Sequence, residues 1–347
     1  MSANPKVVVR FNLPYDPAMA ARFAREPDIV LRTCDRKGEE GAAWSELAQA
    51  HVYMVSSAKD EIPRRWFVTD ELLQRCPKLV CVSTSGAGYD TVDVDACTKA
   101  GIIVVNQAGM NANAVSEHTL GMMLALSKRM IECDRRLRRE RGFAREEVMG
   151  HDISGKTLGL IGIGHVGTRV ARLANAFGMT VLAYDPYVAA EEIARRGARP
   201  ASFDEVLAQS DFVSIHCPRT SETLNMMDAR AFARMKSSAI FVTTARGGIH
   251  DEAALFAALQ SGHLSAAGLD VWEKEPPPLQ HPLLTLDNVI ATYHTAGVTH
   301  EARANVAGQG AEQVVGVLKG GRAPRLVNPD AWAANRARFA AILGVPV

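Results

Sequence analysis

Six consecutive residues constrain this chain more than any others. They are Gly162-Ile163-Gly164-His165-Val166-Gly167, with Asp185 following 18 residues after the last glycine (185 − 167). Thr157 to Ile161 reads as a short buried strand, Val166 to Phe177 as a helix and Thr180 to Tyr184 as a second strand, so the glycines fall at the first turn of a βαβ unit. In such a turn the first glycine allows the tight reversal, the second lets a pyrophosphate approach the backbone, and the third lets helix and strand pack closely. The helix N-terminus meanwhile offers free N–H groups to the phosphates. Gly162, Gly164 and Gly167 occupy those places, with His165 and Val166 between them. The distance to Asp185 is near the roughly 20 residues expected for a ribose-binding carboxylate. That carboxylate accepts hydrogen bonds from both adenosine ribose hydroxyls but repels a 2′-phosphate, and no arginine follows it in Tyr184-Asp185-Pro186-Tyr187. NAD is the expected cofactor, in preference to NADP.

A length of 347 residues suits two domains rather than one. With 47% apolar residues, 22% charged residues and a formal net charge of +1, nothing points to a nucleic-acid surface or an acidic tail. Cys34, Cys76, Cys81, Cys97, Cys133 and Cys217 are scattered, without Cys-x-x-Cys spacing or matching histidines, so neither a metal site nor a disulfide framework is expected. Met1-Ser2-Ala3-Asn4-Pro5-Lys6 runs directly into Val7-Val8-Val9 without a signal-peptide core, and no apolar stretch is long enough to span a bilayer. A cytoplasmic protein with reduced thiols is the expectation.

Along the first hundred residues, strand-like runs (Val7 to Phe11, Val52 to Val55, Leu79 to Val82, Ile102 to Val105) alternate with helix-like segments such as Asp70 to Arg75 and Val92 to Ala100. That alternation predicts a small parallel α/β domain. Asn113 to Met130 reads as one long buried helix. The basic run Arg135-Arg136-Leu137-Arg138-Arg139-Glu140-Arg141 is offset by Glu132, Asp134, Glu146 and Glu147, which predicts a solvated helix rather than a nucleic-acid contact. Beyond Ser154 the βα pattern resumes, with strands near Thr157, Thr180, Asp211, Ala239, Ala266 and Val289, six in all, as in a doubly wound sheet. His300 to Leu318 reads as a further helix.

In open α/β sheets ligands sit beyond the carboxyl ends of the strands. Arg246 follows the strand Ala239 to Thr243, Glu275 follows Ala266 to Val271, and His294 follows Val289 to Thr292. Arginine grips a planar carboxylate through two parallel hydrogen bonds. Histidine exchanges protons near neutral pH, and a neighbouring glutamate favours its charged form and fixes its orientation. Together these are an anchor, an acid and an orienter, as reduction of a 2-oxo acid requires.

The chain resembles the D-isomer-specific 2-hydroxyacid dehydrogenase family over nearly its whole length. The resemblance is carried by Gly162 to Gly167, His216-Cys217-Pro218, Thr244-Ala245-Arg246-Gly247-Gly248-Ile249-His250-Asp251-Glu252, Leu269-Asp270-Val271-Trp272-Glu273-Lys274-Glu275-Pro276, and His294. It implies Arg246, Glu275 and His294 as the catalytic set. It also implies Ser85-Gly86-Ala87-Gly88 as a loop whose backbone amides bind the substrate carboxylate, small residues there permitting an anion to approach. Further carry-over places His216, Cys217, Pro218, Thr223, Thr244, Ala245 and Gly297 with the cofactor, Asp270 near its carboxamide, and Asn111 beside the substrate, ahead of Glu117-His118. The implied fold is α/β with two doubly wound parallel-sheet domains, in which a Rossmann NAD domain (106–298) is inserted into a flavodoxin-like substrate domain (1–105 with 299–347). A homodimer joined through the region after Asn113 is implied as well.

Departures from the family pattern narrow the reading. Tyr293 stands where members usually carry proline, and Thr84 stands where 3-phosphoglycerate dehydrogenases place a phosphate-binding arginine, which argues against a phosphorylated substrate. Formate dehydrogenases carry glutamine at the place of Glu275. The chain stops shortly after Asn328-Pro329-Asp330-Ala331-Trp332, so no C-terminal regulatory domain is expected. By resemblance, glyoxylate and hydroxypyruvate are the default substrates, with Ser57, Ala58 and Lys59 as candidates to meet the substrate side chain. The alternative is an NADH-responsive binding protein or corepressor on the same scaffold.

Overall fold

The computed structural model describes residues 5–13 and 16–344, so the reading of residues 1–4 lies outside what it describes. Two compact units emerge, one running through Asn111 and resuming at His300, the other spanning Ala112–Thr299. Residues 106–111 thus group with the first unit and Thr299 with the second.

In the first unit, strands β1 (Lys6–Phe11), β2 (Ile29–Cys34), β3 (Val52–Val55), β4 (Cys81–Thr84) and β5 (Ile103–Val105) alternate with helices α1 (Ala18–Phe23), α2 (Glu40–Leu47), α3 (Asp70–Arg75) and α4 (Val94–Lys99). All pairings are parallel, in the order β2-β1-β3-β4-β5. Every residue of β3, β4 and β5 is buried, as strands covered on both faces must be, which is why β3 and β5 show as continuous apolar runs, while β4 ends in the buried hydroxyls of Ser83 and Thr84. The sequence reading missed β2. It is an edge strand whose middle, Val30 to Thr33, stays partly or fully exposed around Arg32, so the apolar run that marks an inner strand is absent. The strand order reverses between β1 and β3.

The second unit opens with α5 (Ala112–Ser127) and α6 (Met130–Arg139); the buried helix expected to reach Met130 stops at Ser127, and the solvated helix of the basic run already begins at Met130. The break falls at Arg129, whose backbone is left-handed (φ 52°). Its guanidinium is tied to both Glu132 carboxylate oxygens (2.7 and 2.6 Å) and to the Glu147 carbonyl (2.8 Å), and these bonds help hold the turn. Helix α6 buries no residue. Arg135, Arg136 and Arg138 pair with Asp287, with Glu140 and Glu147, and with Asp134, which makes it a solvated helix with its charge largely balanced.

Then follow β6 (Thr157–Ile161), α7 (His165–Ala176), β7 (Thr180–Tyr184), α8 (Ala190–Arg195), β8 (Arg199–Pro200), α9 (Phe203–Gln209), β9 (Phe212–Ile215), α10 (Ala229–Arg234), β10 (Ile240–Thr243), α11 (Glu252–Gln260), β11 (Ala266–Leu269) and β12 (Val289–Ala291). The sheet is parallel throughout, in the order β12-β11-β10-β9-β6-β7-β8. It has seven strands against the six expected, because the two-residue β8 is too short to leave a periodic signal. The order reverses between β6 and β9, and β10, β11 and β12 are consecutive neighbours.

The chain returns to the first unit as α12 (His300–Leu318), packed on α1, and α13 (Trp332–Leu343). Two buried amides pin this return. Asn328 accepts from the Val104 N–H (2.7 Å), and Asn335 donates to the Val80 carbonyl (2.7 Å).

Candidate active site

The glycine turn joins β6 to α7 at the point where the second sheet reverses. Gly162 is left-handed (φ 93°), and a Cβ on Gly167 would lie 2.3 Å from the Gly162 carbonyl oxygen, so only glycine lets α7 start this close to the strand end. Nothing crowds Gly164 within 4 Å, which leaves the helix N-terminus at His165 and Val166 approachable by a phosphate. Asp185, just beyond β7, bends back to this turn. One carboxylate oxygen accepts from the Ile163 N–H (3.0 Å) and the other from the Tyr187 N–H (3.1 Å). The acid is thereby fixed at the rim of the glycine turn, the place a ribose-binding carboxylate takes in a dinucleotide fold.

Across the reversal, His216, Cys217 and Pro218 follow β9. The His216 ring is hydrogen-bonded to the Ser214 hydroxyl (2.9 Å), and burial pushes its pKa down to about 3, so it is neutral at physiological pH. Burial pushes the Cys217 thiol up to about 11, which makes it a packing group rather than a nucleophile. Thr223 closes the following loop, accepting from the Thr220 N–H (2.8 Å) and donating to the Pro218 carbonyl (2.7 Å).

Thr244, Ala245 and Arg246 follow β10, Glu275 follows β11, and His294 follows β12. A Cβ on Gly247 would lie 1.8 Å from the Trp272 carbonyl oxygen, so this glycine lets the turn carrying Arg246 press directly onto the turn leading to Glu275. His294 Nδ1 is 2.8 Å from Glu275 Oε2, and Glu275 Oε1 accepts from the Trp272 N–H (3.1 Å). Burial alone would raise the Glu275 carboxyl. The hydrogen bond and charge of His294, the Trp272 N–H and the charge of Arg246 outweigh it, and the carboxyl is held below its ordinary range as an ion. The structure therefore brings together Arg246, Glu275 and His294. With Nδ1–H committed to Glu275, Nε2 is the ring nitrogen left to exchange a proton with a reactant.

Asp270, wholly buried, has a role the sequence did not reveal. Its carboxylate accepts from the Thr292 hydroxyl (2.5 Å), the Thr295 N–H (2.8 Å) and the Ala296 N–H (2.9 Å), and its carbonyl accepts from the His294 N–H (2.6 Å). The loop carrying His294 and Gly297 is wound around this one side chain. The Thr295 hydroxyl adds a long fourth contact to the carboxylate (3.4 Å). Two of these four bonds come from backbone N–H groups, which have no residue signature, so only the acid itself was legible.

In the first unit, Ser85, Gly86, Ala87 and Gly88 follow β4. The Ser85 hydroxyl accepts from the Ser57 N–H (3.2 Å), and the Gly86 carbonyl accepts from the Gln107 N–H (2.8 Å) and the Thr84 hydroxyl (3.1 Å). These bonds shape the loop while none of the described residues accepts from the N–H groups of Gly86, Ala87 or Gly88. Thr84 is buried and supplies no cation, Lys59 is exposed, and Asn111 ends this part of the unit. No group of three potential metal ligands occurs among the described residues.

Residues 120–296 match the family model described as D-isomer specific 2-hydroxyacid dehydrogenase, NAD binding domain. The chain is 43% identical over 253 residues to a D-3-phosphoglycerate dehydrogenase of Archaeoglobus fulgidus, covering 73% of this chain and 48% of that protein. It is 37% identical over 263 residues to a glyoxylate reductase of Korarchaeum cryptofilum, covering 75% of this chain and 79% of that one. Among solved structures, a D-lactate dehydrogenase of Aquifex aeolicus complexed with NAD and lactic acid superposes with a TM-score of 0.79 at 30% identity, over 92% of this chain and 98% of the other. The chain spans about half the length of the phosphoglycerate dehydrogenases it matches.

Proposed function

Because this chain belongs to the D-isomer-specific 2-hydroxyacid dehydrogenase family, we propose that it reduces a small 2-oxo acid to the D-2-hydroxy acid, with glyoxylate and hydroxypyruvate as the first substrates to try. The observation that carries this reading is the hydrogen bond between His294 and an ionised Glu275, with the Arg246 charge acting on the same carboxylate. Ala112–Thr299 is the proposed cofactor domain and the first unit the substrate domain. The Gly162–Gly167 cradle and Asp185 fit NAD, and bound NADH supplies the hydride. Arg246 grips the carboxylate and polarises the carbonyl of the substrate. Glu275 holds the imidazole upright through Nδ1, and Nε2 delivers a proton to the oxygen on which charge develops. In the reverse direction the neutral imidazole takes that proton back. In the first unit the amides of Gly86, Ala87 and Gly88 are the proposed carboxylate binders, with Ser85 and Asn111 as further substrate contacts.

Arg246→Ala and His294→Ala should each lower kcat with these 2-oxo acids by about a hundredfold or more while NADH still binds. Near-normal turnover by either variant would refute the assignment. No described helix is long and apolar enough to cross a membrane, in keeping with the proposed cytoplasmic setting. A homodimer through α6 is also proposed, since that helix buries nothing and leaves Met130 and Leu137 about half exposed. Sedimentation velocity of the parent and of Leu137→Glu checks it, a monomeric parent speaking against it.

A further inference from the structure

We infer that His118, outside the catalytic set, is a positioning residue for His294, acting through the Thr292 hydroxyl and the Asp270 carboxylate. The inference rests on the reading of His294 as the proton carrier. His294 has a left-handed backbone (φ 48°), a conformation a non-glycine residue holds only when its surroundings enforce it. The enforcing bonds all converge on Asp270, which lies at the end of β11 and gathers the Thr292 hydroxyl and the Thr295 and Ala296 amides onto its carboxylate.

The Thr292 hydroxyl has one proton, and at 2.5 Å it is given to Asp270 Oδ1. The ring nitrogen His118 Nε2 is 3.1 Å from the same hydroxyl oxygen, so it must be the donor in that contact, and it is 3.8 Å from Asp270 Oδ1. The chain of donation runs from His118 through Thr292 to Asp270. Every other member of this network lies on the ends of β11 and β12. His118 alone comes from α5, the long helix packed across β10, β11 and β12. It ties the loop that presents His294 to the helix that backs all three strands bearing the catalytic groups, and it fixes which way the Thr292 hydroxyl points.

A misplaced proton carrier costs turnover more than binding, because an error of about 1 Å in a reacting group is enough to slow catalysis up to a hundredfold. His118→Ala and Thr292→Val should each lower kcat with glyoxylate or hydroxypyruvate by about tenfold and leave the NADH dissociation constant within twofold. His118→Gln, which keeps a donor near the place of Nε2, and Thr292→Ser, which keeps the hydroxyl, should recover most of the loss. The His118→Ala/Thr292→Val double variant should be no slower than the worse single variant, because both break one chain.

Histidine-selective ¹⁵N NMR gives a readout free of any substrate. The His294 ring signals should move in His118→Ala and return in His118→Gln. Unchanged kcat with unmoved signals, additive losses in the double variant, or failure of Gln to rescue would each overturn the role. His294→Ala, run alongside, separates the two ideas. Full turnover there removes the proton-carrier reading itself, whereas an inactive His294→Ala beside a fully active His118→Ala removes only this inference.

Discussion

His294 departs from its own backbone preference, and Asp185 is held by two backbone amides rather than by any cation. The first is placed by the carboxylates of Glu275 and Asp270, the second by main-chain groups. Of the two, Asp185 makes the more direct test of cofactor choice. Removing its carboxylate in Asp185→Ala takes away hydrogen bonds to a charged acceptor, each contributing roughly 1.5–3 kcal/mol. NADH affinity should fall by about tenfold or more and the preference over NADPH should shrink, which titration by fluorescence measures. An unaltered preference would show that another group discriminates. At this scale Arg246, Glu275, His294 and Asp185 were legible, because each follows a strand whose apolar run is plain in the sequence. The Asp270 network was not, since its partners Thr292, Thr295 and Ala296 show no chemistry until the loop closes around the acid. His118 was seen only as part of a motif, its partner Thr292 lying 174 residues away.

Elements were readable where burial is two-sided or where punctuation is local. Strands β3, β6 and β7 and helices α3 and α12 have the bounds that apolar runs and turn residues predict. The edge strand β2 and the joint between α5 and α6 escaped, one because solvent dilutes its pattern, the other because Arg129 is a residue with no breaking tendency of its own and is held by Glu132 and the Glu147 carbonyl. Contact between turns is likewise invisible in sequence until glycine betrays it. Gly247→Ala would put a methyl group 1.8 Å from the Trp272 carbonyl oxygen and force the turns after β10 and β11 apart. A loss of about 1–3 kcal/mol in unfolding free energy is expected, with kcat reduced by tenfold or more as Arg246 and Glu275 separate. Urea titration and steady-state rates check both, and an alanine variant matching the parent in each would contradict the close packing.

For the whole molecule, two histidines tie stability to acidity. His250 is fully buried with neither ring nitrogen hydrogen-bonded among the described residues, and burial pushes its imidazole down to about 4, as it does His216 to about 3. In the unfolded chain each protonates near 6.5. Between those values the unfolded state binds the extra proton, so the contribution to stability is complete above about pH 6.5 and is lost progressively on acidification toward 4 for His250 and toward 3 for His216. Each contributes at most roughly 1.4 kcal/mol per pH unit in its window. His250→Phe should flatten the decline between pH 6.5 and 4, read from urea midpoints at a series of pH values. A slope identical to the parent's would mean the ring is already solvated.

Arg246, Glu275 and His294 extend from β10, β11 and β12, three strands that lie side by side in the sheet. Their spacing is thus set by the hydrogen-bonding distance between adjacent strands, about 4.8 Å, and not by the peptide that joins them. The connection from Pro276 to Asn288 can accordingly lengthen, shorten or acquire an inserted module over evolutionary time without moving the three proposed catalytic groups. Variety in such enzymes is then free to accumulate in the connectors while the chemistry stays on the same ruler.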